Sequence, residues 1–177
     1  MFLDLLSTRR SIREFKPRRV EKEKIDRLIE AALRSFSSRS INPWQFIVID
    51  DPALLARLSK LKPHGSSFLK TAPLGIAVMA DTTLSDVWVE DTAIASALVH
   101  LTAHDIGLGS CWIQVRNRSH SEEKSSDAFV KELLGVPDNI SIESIIAIGY
   151  SEAPKKGHDA NRLDYTKVSW NRFDRKD

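Results

Sequence analysis

Residues 74–80, Leu-Gly-Ile-Ala-Val-Met-Ala, form an apolar run with no polar side chain to face solvent. A short run of this kind is typical of a strand that is buried on both faces, so other elements must cover it from two sides. Apolar spacing and turn residues predict a short N-terminal helix and the remaining elements. Strands are predicted over 44–49, 110–114 and 145–150, and helices over 21–35, 52–61, 85–105 and 121–134.

The order of these elements predicts the fold class. Strands alternate with helices, but the first strand follows two helices and the connections vary in length. This pattern favours an α+β fold, or a three-layer α/β/α sandwich around one mixed sheet. At 177 residues the chain is expected to form one domain, 1–177. Its last part, 151–177, has no core element of its own but carries apolar side chains, so we expect it to cover another surface, such as that of a second subunit. These side chains are Tyr165, Val168, Trp170 and Phe173.

Three arginines and a serine lie within residues 9–13. Arg9 and Arg13 are four residues apart, and either a helix or a strand with Ser11 between them would direct both to one side. Guanidinium groups keep their charge and donate paired hydrogen bonds to phosphate oxygens, so the segment predicts a site for a phosphate-bearing ligand. A solvated basic turn is the alternative, and the residues alone leave both interpretations open.

The positive charge is local. The net charge of the chain is +2, whereas residues 1–19 carry six basic and two acidic side chains and contribute +4. So small a basic patch argues against a general nucleic-acid binder. Cys111 is the only cysteine, which excludes an intrachain disulfide and fits a reducing cytoplasm. The N-terminus lacks the pattern of a signal peptide and the apolar runs are too short to span a bilayer, so we expect no membrane association.

Three other motifs could carry chemistry, but the sequence disfavours a functional role for each. His100 and His104 are four residues apart on a predicted helix and could bind a metal together, but no third ligand is evident, so a metal site is disfavoured. Cys111 lies in an apolar strand without an evident base, which favours a buried structural thiol. The run 107–112 begins like a dinucleotide fingerprint, but Trp112 stands at the third glycine and the run precedes a strand, which disfavours a Rossmann site.

Four segments together resemble the FMN-dependent nitroreductase family. They are Arg-Arg-Ser-x-Arg-x-Phe at 9–15, Ser-Ser-x-x-x-x-Pro-Trp at 37–44, Gly-Leu-Gly-Ser-Cys-Trp-Ile at 107–113 and Ile-Ala-Ile-Gly-Tyr at 146–150. The resemblance implies a nitroreductase-like homodimer with FMN at the subunit interface, a C-terminal extension over the partner, and oxidoreduction with NADH or NADPH. It also implies a ping-pong reaction in which hydride passes to flavin N5 and then to an electron-poor acceptor such as a nitroaromatic or a quinone.

The resemblance assigns candidate cofactor-binding residues in four groups. The first would hold the FMN phosphate and ribityl chain, and the second would approach the flavin from the other subunit. The backbone of the third would line the isoalloxazine and offer an N–H to N5, and the fourth would add a cation at the phosphate. No catalytic acid or base is nominated, because the cofactor carries the hard chemistry. The groups are Arg9, Arg10, Ser11 and Arg13; Ser37, Ser38, Ser40 and Asn42; Trp112, Ile113 and Gln114; and Arg162.

Two positions depart from the family's pattern. The family commonly has Asn where this chain has Ser40, and Gln where it has Asn42, so hydrogen bonding to the ring system is expected to differ. The chain also lacks an insertion that could cover the substrate, which predicts an open pocket. Two alternatives stay open: a flavin-binding protein of the same fold with a specialised role, such as flavin storage, biosynthetic oxidation or dehalogenation, and a non-enzymatic module whose arginines bind nucleic acid or an acidic protein.

Overall fold

A four-stranded sheet forms the middle layer of the structure, a computed structural model that describes residues 1–153 and 155–175. Its strands pair antiparallel in the spatial order β1-β2-β4-β3. The predicted α+β class is confirmed. The sequence predicts a mixed sheet, whereas the four strands pair antiparallel and the parallel bridge between Ser11 and Ser110 lies outside them. The strands are β1 (Trp44–Ile49), β2 (Leu74–Asp81), β3 (Gly109–Gln114) and β4 (Ile140–Gly149).

Helices cover both faces of this sheet. Alternate residues of β2 enter two separate core clusters: Ile76 and Val78 pack with α2 and α4, and Ala77 and Met79 pack with α3 and α5. The apolar run is therefore buried on both faces, as predicted, and the layers form an α/β/α sandwich. The α-helices of the described residues are α1 (Phe2–Thr8), α2 (Lys22–Leu33), α3 (Pro52–Leu58), α4 (Trp88–Asp105) and α5 (Ser126–Leu134), and the 3₁₀ helices are Ser38–Ser40, Ser67–Thr71, Ala160–Arg162 and Tyr165–Lys167.

Capping residues explain where two helices begin. The Asp51 carboxylate accepts from the Ala53 N–H, and Pro52 occupies the first turn of α3. The Ser125 hydroxyl accepts from the Ala128 N–H and fixes the start of α5, five residues after the predicted start. The preceding residues pair instead in a short turn closed by the bridge between Ser119 and Ser125.

Several apolar side chains at the two chain ends are exposed. Helix α1 buries none of its residues, and the C-terminal region exposes Tyr165, Trp170 and Phe173. Tyr165, Trp170 and Phe173 belong to the extension 151–177 that the sequence analysis expects to lie over another surface, such as that of a second subunit. Pro154, Lys176 and Asp177 belong to the predicted extension but lie outside the described residues. Among the described residues, no helix combines the length and the apolar character needed to cross a membrane.

Candidate functional site

The arginine segment 9–13 runs along the outer edge of β3. Helix α1 ends at Thr8, and the Arg9 backbone is extended with φ −61° and ψ 134°. The Ile12 N–H donates to the Ser110 carbonyl at 2.9 Å. This approach requires a glycine opposite Ile12, because a Cβ on Gly109 would stand 2.8 Å from the Ile12 side chain. Pairing at the sheet edge, rather than a continued helix, therefore sets the path of the segment.

The arginines of this segment have different partners. Arg9 Nη1 lies 2.9 Å from His100 Nε2 on α4, and Arg10 Nη1 donates to the carbonyl of Lys156 at 2.5 Å. The Arg13 guanidinium carbon lies 5.8 Å from the ring centroid of Phe68, which packs with the α3 and α5 cluster. Since α4 covers the opposite face of the sheet, the expectation that Arg9 and Arg13 point to one side is wrong. Arg9 follows directly on α1, so its contact with α4, rather than strand alternation, sets its direction.

Two lysines that the sequence analysis did not identify join Arg13. Burial raises the pKa of the Cys111 thiol, and the charges of Arg13, Lys155 and Lys62 oppose this shift. Lys62 Nζ donates to the Gln114 carbonyl at 3.1 Å, and burial, aided by the charge of Arg118, lowers the pKa of Lys62. Cations from three distant segments are thus close enough to Cys111 of β3 for their charges to act on its thiol. No local pattern around Lys62 or Lys155 marks this convergence, since only the tertiary fold brings them together.

The loop that carries Lys62 is held in place through its carbonyl groups. Ser66 Oγ donates to the carbonyl of residue 59 and Ser126 Oγ to that of residue 61, each at 2.8 Å. His120 Nδ1 donates to the intervening carbonyl, also at 2.8 Å. The backbone just before Lys62 is therefore fixed at three consecutive residues. Lys62 is held at the β3 edge in advance, so little conformational entropy is lost when a ligand binds there.

Backbone groups of β3 face the open edge at alternate residues. The Ser110 carbonyl points outward to Ile12, and strand alternation directs the groups of Trp112 and Gln114 the same way. The bond from Lys62 to the Gln114 carbonyl agrees with this orientation. The Ile113 side chain is fully buried and its backbone groups face β4. Of the three predicted residues, Trp112 and Gln114 therefore supply the N–H groups at the edge.

A chain of side-chain hydrogen bonds leads inward from this strand. Trp112 Nε1 donates to Gln114 Oε1 at 2.8 Å, and Gln114 Nε2 donates to Glu143 Oε1 at 2.9 Å. Glu143 is only 4% exposed and is the extra residue of a bulge in β4, since Val78 pairs with Ser144 and the next pair skips Glu143. Within the described residues, Glu143 Oε2 has no hydrogen-bond partner. An acid inside the apolar stretch of β4 was the available sequence signal for this network.

The serine loop, residues 37–42, is a separate strained turn at the start of α4. Arg39, Ser40 and Asn42 have φ of 54°, 54° and 53°, a region that non-glycine residues rarely adopt. The Asn42 N–H donates to Ser37 Oγ at 2.9 Å, and Ser37 Oγ donates to Asn42 Oδ1 at 2.7 Å. The Ser38 N–H donates at 2.8 Å to Asp91, a buried carboxylate on α4. Asp91, which the sequence analysis missed, thus anchors the loop.

One chain does not bring the serine loop and the arginine segment together. The loop is anchored at Asp91 and Arg9 at His100, which are nine residues apart on α4. At 1.5 Å per residue this separates the two anchors by about 14 Å along the helix axis. Two of the four predicted groups therefore lie at different places along the same helix.

Arg162 lies against α1 rather than on the sheet. It lines a groove of about 500 Å³ together with Leu3 and Leu6 of α1 and His158. The same C-terminal region supplies the carbonyl of Lys156 that accepts from Arg10. The fold therefore brings the C-terminal region to the end of α1 from which the arginine segment begins.

The two histidines of α4 bind the end of α1. His104 Nε2 lies 2.9 Å from the Thr8 hydroxyl, and His100 Nε2 contacts Arg9. Burial, followed by the charges of Arg9 and His104, lowers the pKa of His100 to about 4. Within residues 1–153 and 155–175, no cluster of three or more His, Cys, Asp or Glu side chains is placed to hold a metal ion. Cys111 is buried and unpaired, as predicted.

Known proteins share this sequence and fold. A model of the nitroreductase family matches residues 6–65 and 59–150. A protein of Archaeoglobus fulgidus with the provisional name NADH dehydrogenase/NAD(P)H nitroreductase is 35% identical over 163 residues, with 90% of each chain covered. The structure of an FMN-dependent nitroreductase from Clostridium difficile R20291 is 47% identical and superposes with a TM-score of 0.95, covering 97% of this chain and 99% of the other. A Parabacteroides distasonis structure with the same provisional name as the archaeal protein is 31% identical, with a TM-score of 0.89 and 97% and 98% coverage.

Proposed function

The chain belongs to the nitroreductase family, and on this premise we propose that it is an FMN-dependent oxidoreductase. It takes reducing equivalents from NADH or NADPH and passes them to an electron-poor small molecule such as a nitroaromatic or a quinone. The buried, unpaired thiol of Cys111 fits a reducing compartment, and we propose the cytoplasm as its location.

The observation that carries this proposal is that the held cation of Lys62 and open backbone donors lie at the same edge of β3. Arg13, Lys62 and Lys155 bring positive charge to this edge from three parts of the chain. The N–H groups of Trp112 and Gln114 face the same edge. A flavin ring carries carbonyl oxygens and ring nitrogens, which suit such donors, and it becomes more negative on reduction. The donor set therefore fits FMN.

The phosphate of FMN would be held at the end of α1. Arg9 and Arg10 are half-buried there, and no carboxylate offsets their charge in the hydrogen bonds that they make, because their partners are a neutral imidazole and a backbone carbonyl. Ser11 would add a hydroxyl. Arg162 would approach the site from the C-terminal region, which lies alongside α1. Charge-assisted hydrogen bonds from arginine are the strongest contacts that a phosphate receives from side chains.

The cofactor supplies hydride chemistry when bound, accepting from NAD(P)H in one half-reaction and giving to the acceptor in a second, which makes the kinetics ping-pong. The chain's own residues would orient the cofactor and set the charge around it. Lys62, held by its clamped loop, keeps a positive charge next to the Gln114 carbonyl and so favours added negative charge at the β3 edge. The hydrogen bond between Gln114 of β3 and Glu143 of β4 fixes both side chains and ties the two strands together.

A second copy of the chain would complete the site. The serine loop lies about 14 Å along α4 from the arginine segment, so its Ser37, Ser38, Ser40 and Asn42 would serve the site of a partner. The exposed apolar residues of α1 and the C-terminal region give a surface that such a partner could bury. We therefore propose a homodimer in which each FMN site draws on both chains.

Visible absorption of the purified chain, followed by anaerobic addition of NADH and then NADPH, tests the proposed function. We expect a flavin spectrum that bleaches with at least one of the two nucleotides and returns when a nitroaromatic or a quinone is added. A flavin spectrum that neither nucleotide bleaches would favour a flavin-binding protein with a specialised role. A colourless chain that FMN cannot load would contradict the proposal.

A further inference from the structure

We propose that His100 is a positioning residue that aims Arg9 at the phosphate of the bound cofactor, an inference that rests on the proposed FMN-binding function. His100 lies on α4, and its Nε2 is 2.9 Å from Arg9 Nη1. Its other ring nitrogen, Nδ1, contacts the hydroxyl of Ser110 on β3. The imidazole therefore connects the arginine segment, a helix and the edge strand at the point where the segment joins the sheet.

The chemistry of Arg9 fixes the direction of every hydrogen bond in this chain. A guanidinium group has only donors, so His100 Nε2 must accept and the ring proton must sit on Nδ1. Nδ1 then donates to Ser110 Oγ, and the Ser110 hydroxyl is left to donate to the His100 carbonyl at 3.4 Å. Each group has the role that its neighbour requires, so a single tautomer of His100 is selected.

A neutral acceptor is the right partner for an arginine that must bind an anion. A carboxylate at this place would orient Arg9 equally well but would cancel its charge and compete with a phosphate. His100 stays uncharged near neutral pH because it is buried and lies beside Arg9 and His104. Arg9 is therefore held in direction while its full charge remains available.

The neighbour one turn along α4 provides a matched control. His104 Nε2 contacts the Thr8 hydroxyl at 2.9 Å and so helps to dock the same end of α1, but within the described part of the chain it has no hydrogen bond to an arginine. If His100 only held α1 in place, substitution of His104 should affect the cofactor in the same way. If His100 acts through Arg9, the two substitutions should differ.

The experiment is titration of the flavin-free full-length chain with FMN, followed by the quenching of flavin fluorescence, and with riboflavin, which has no phosphate. We expect His100→Phe to raise the Kd for FMN about tenfold, since a hydrogen bond to a charged group is lost, and to change the Kd for riboflavin less than twofold. His100→Gln, whose Oε1 can accept from Arg9, should stay within about threefold of the parent. His104→Phe should change the Kd for FMN less than twofold.

A double-mutant cycle with Arg9→Gln separates positioning from general support of the fold. In the Arg9→Gln background, His100→Phe should have no further effect on the Kd for FMN, because the residue that it positions is gone. If His100→Phe does not fold, Ser110→Ala, which removes the acceptor of the Nδ1 proton, is expected to raise the Kd for FMN about threefold.

Three outcomes would overturn the inference: equal losses for FMN and riboflavin, additive effects in the cycle, or a His104→Phe loss as large as that of His100→Phe. A parent chain that binds neither flavin would instead contradict the proposed function itself, so the two failures are distinguishable.

Discussion

The arginine segment and the serine loop are both predicted to contact the cofactor, yet the fold prepares them in different ways. Residues 9–13 include none with a positive φ and are positioned by distant groups, namely β3, His100 and Lys156. The serine loop has three residues with positive φ and depends on its own side chains and on one buried carboxylate, Asp91. The arginine segment is therefore organised by tertiary pairing, and the serine loop by local strain that a single anchor maintains.

Loss of the anchor should damage the serine loop most. Asp91 is 2% exposed and accepts from the Ser38 N–H at 2.8 Å and from Ser85 Oγ at 3.3 Å. Asp91→Ala removes the acceptor of the half-buried Ser38 N–H and of the buried Ser85 hydroxyl, and we expect the free energy of unfolding to fall by about 2 to 3 kcal/mol. Asp91→Asn keeps one acceptor oxygen and should lose less than half as much. Urea denaturation measures both, and equal losses for the two variants would contradict the anchoring role.

Overfilling the contact between Gly109 and Ile12 should damage the arginine segment. A Cβ on Gly109 would stand 2.8 Å from Ile12, and overpacking of this kind costs about 1 to 3 kcal/mol. We expect Gly109→Ala to lower the thermal midpoint and to weaken FMN binding, because Ile12 and the arginines on either side of it must shift. The mutation should leave the serine loop intact. An unchanged affinity for FMN would show that pairing with β3 does not position the arginines.

Low pH should destabilise the chain by protonating His100, the partner of Arg9 in the arginine segment. Its pKa is about 4 in the folded chain against 6.5 for a free imidazole, so the unfolded chain binds the proton more readily. Stability is therefore fully present above pH 6.5 and falls as the pH drops from 6.5 toward 4, by at most about 1.4 kcal/mol per pH unit from this group. His100→Gln should show a flatter pH dependence of unfolding in this range.

Glu21 contributes to the stability of the chain in a different pH range and therefore serves as an internal reference. The hydrogen bond from Tyr150, followed by those from its own backbone and from Arg18, lowers the pKa of Glu21 to about 2. Its contribution is therefore lost only as the pH falls from about 4.5 toward 2. A His100→Gln variant that differed from the parent only below pH 4 would contradict the role assigned to His100.

Relief of strain in the serine loop should have the smallest effect. Ser40 has φ of 54°, which glycine adopts without cost, so we expect Ser40→Gly to stabilise the chain by about 0.5 kcal/mol. Ser37, with φ −138°, should respond in the opposite direction, because glycine there adds freedom to the unfolded chain and also removes the two hydrogen bonds of Ser37 Oγ with Asn42. Chemical denaturation of the two variants gives the sign, and a loss of stability in Ser40→Gly would mean that the serine side chain outweighs the strain.

Sequence patterns predicted the helices and strands better than the contacts between them. The apolar run of β2 required cover on both faces, and α2 and α4 on one side and α3 and α5 on the other supply it. The residues alone left open whether the arginine segment continues a helix or runs as a strand, and its pairing with β3 decides for the extended form. The start of α5 was missed because Ser125, and not Ser121, caps the helix.

Contacts between distant segments could not be predicted. Lys62, Lys155 and Asp91 follow no motif, and the spacing of His100 and His104 suggested a metal pair rather than a contact with Arg9. Each has its role only because the fold carries it to β3, to Arg9 or to the serine loop. The opposite directions of Arg9 and Arg13 have the same origin. The roles of the twelve predicted site residues toward FMN remain predictions.

The measurement that tests the account most directly is the FMN content of a mixed dimer. One chain would carry Arg9→Glu and the other Ser40→Trp, with different affinity tags so that only the mixed pair is purified. Each variant alone should bind little FMN. If each site combines the arginine segment of one chain with the serine loop of the other, the mixed dimer has one intact site and should hold about one FMN per pair. If both parts of a site came from the same chain, no intact site would form, and a mixed dimer without flavin would contradict the account.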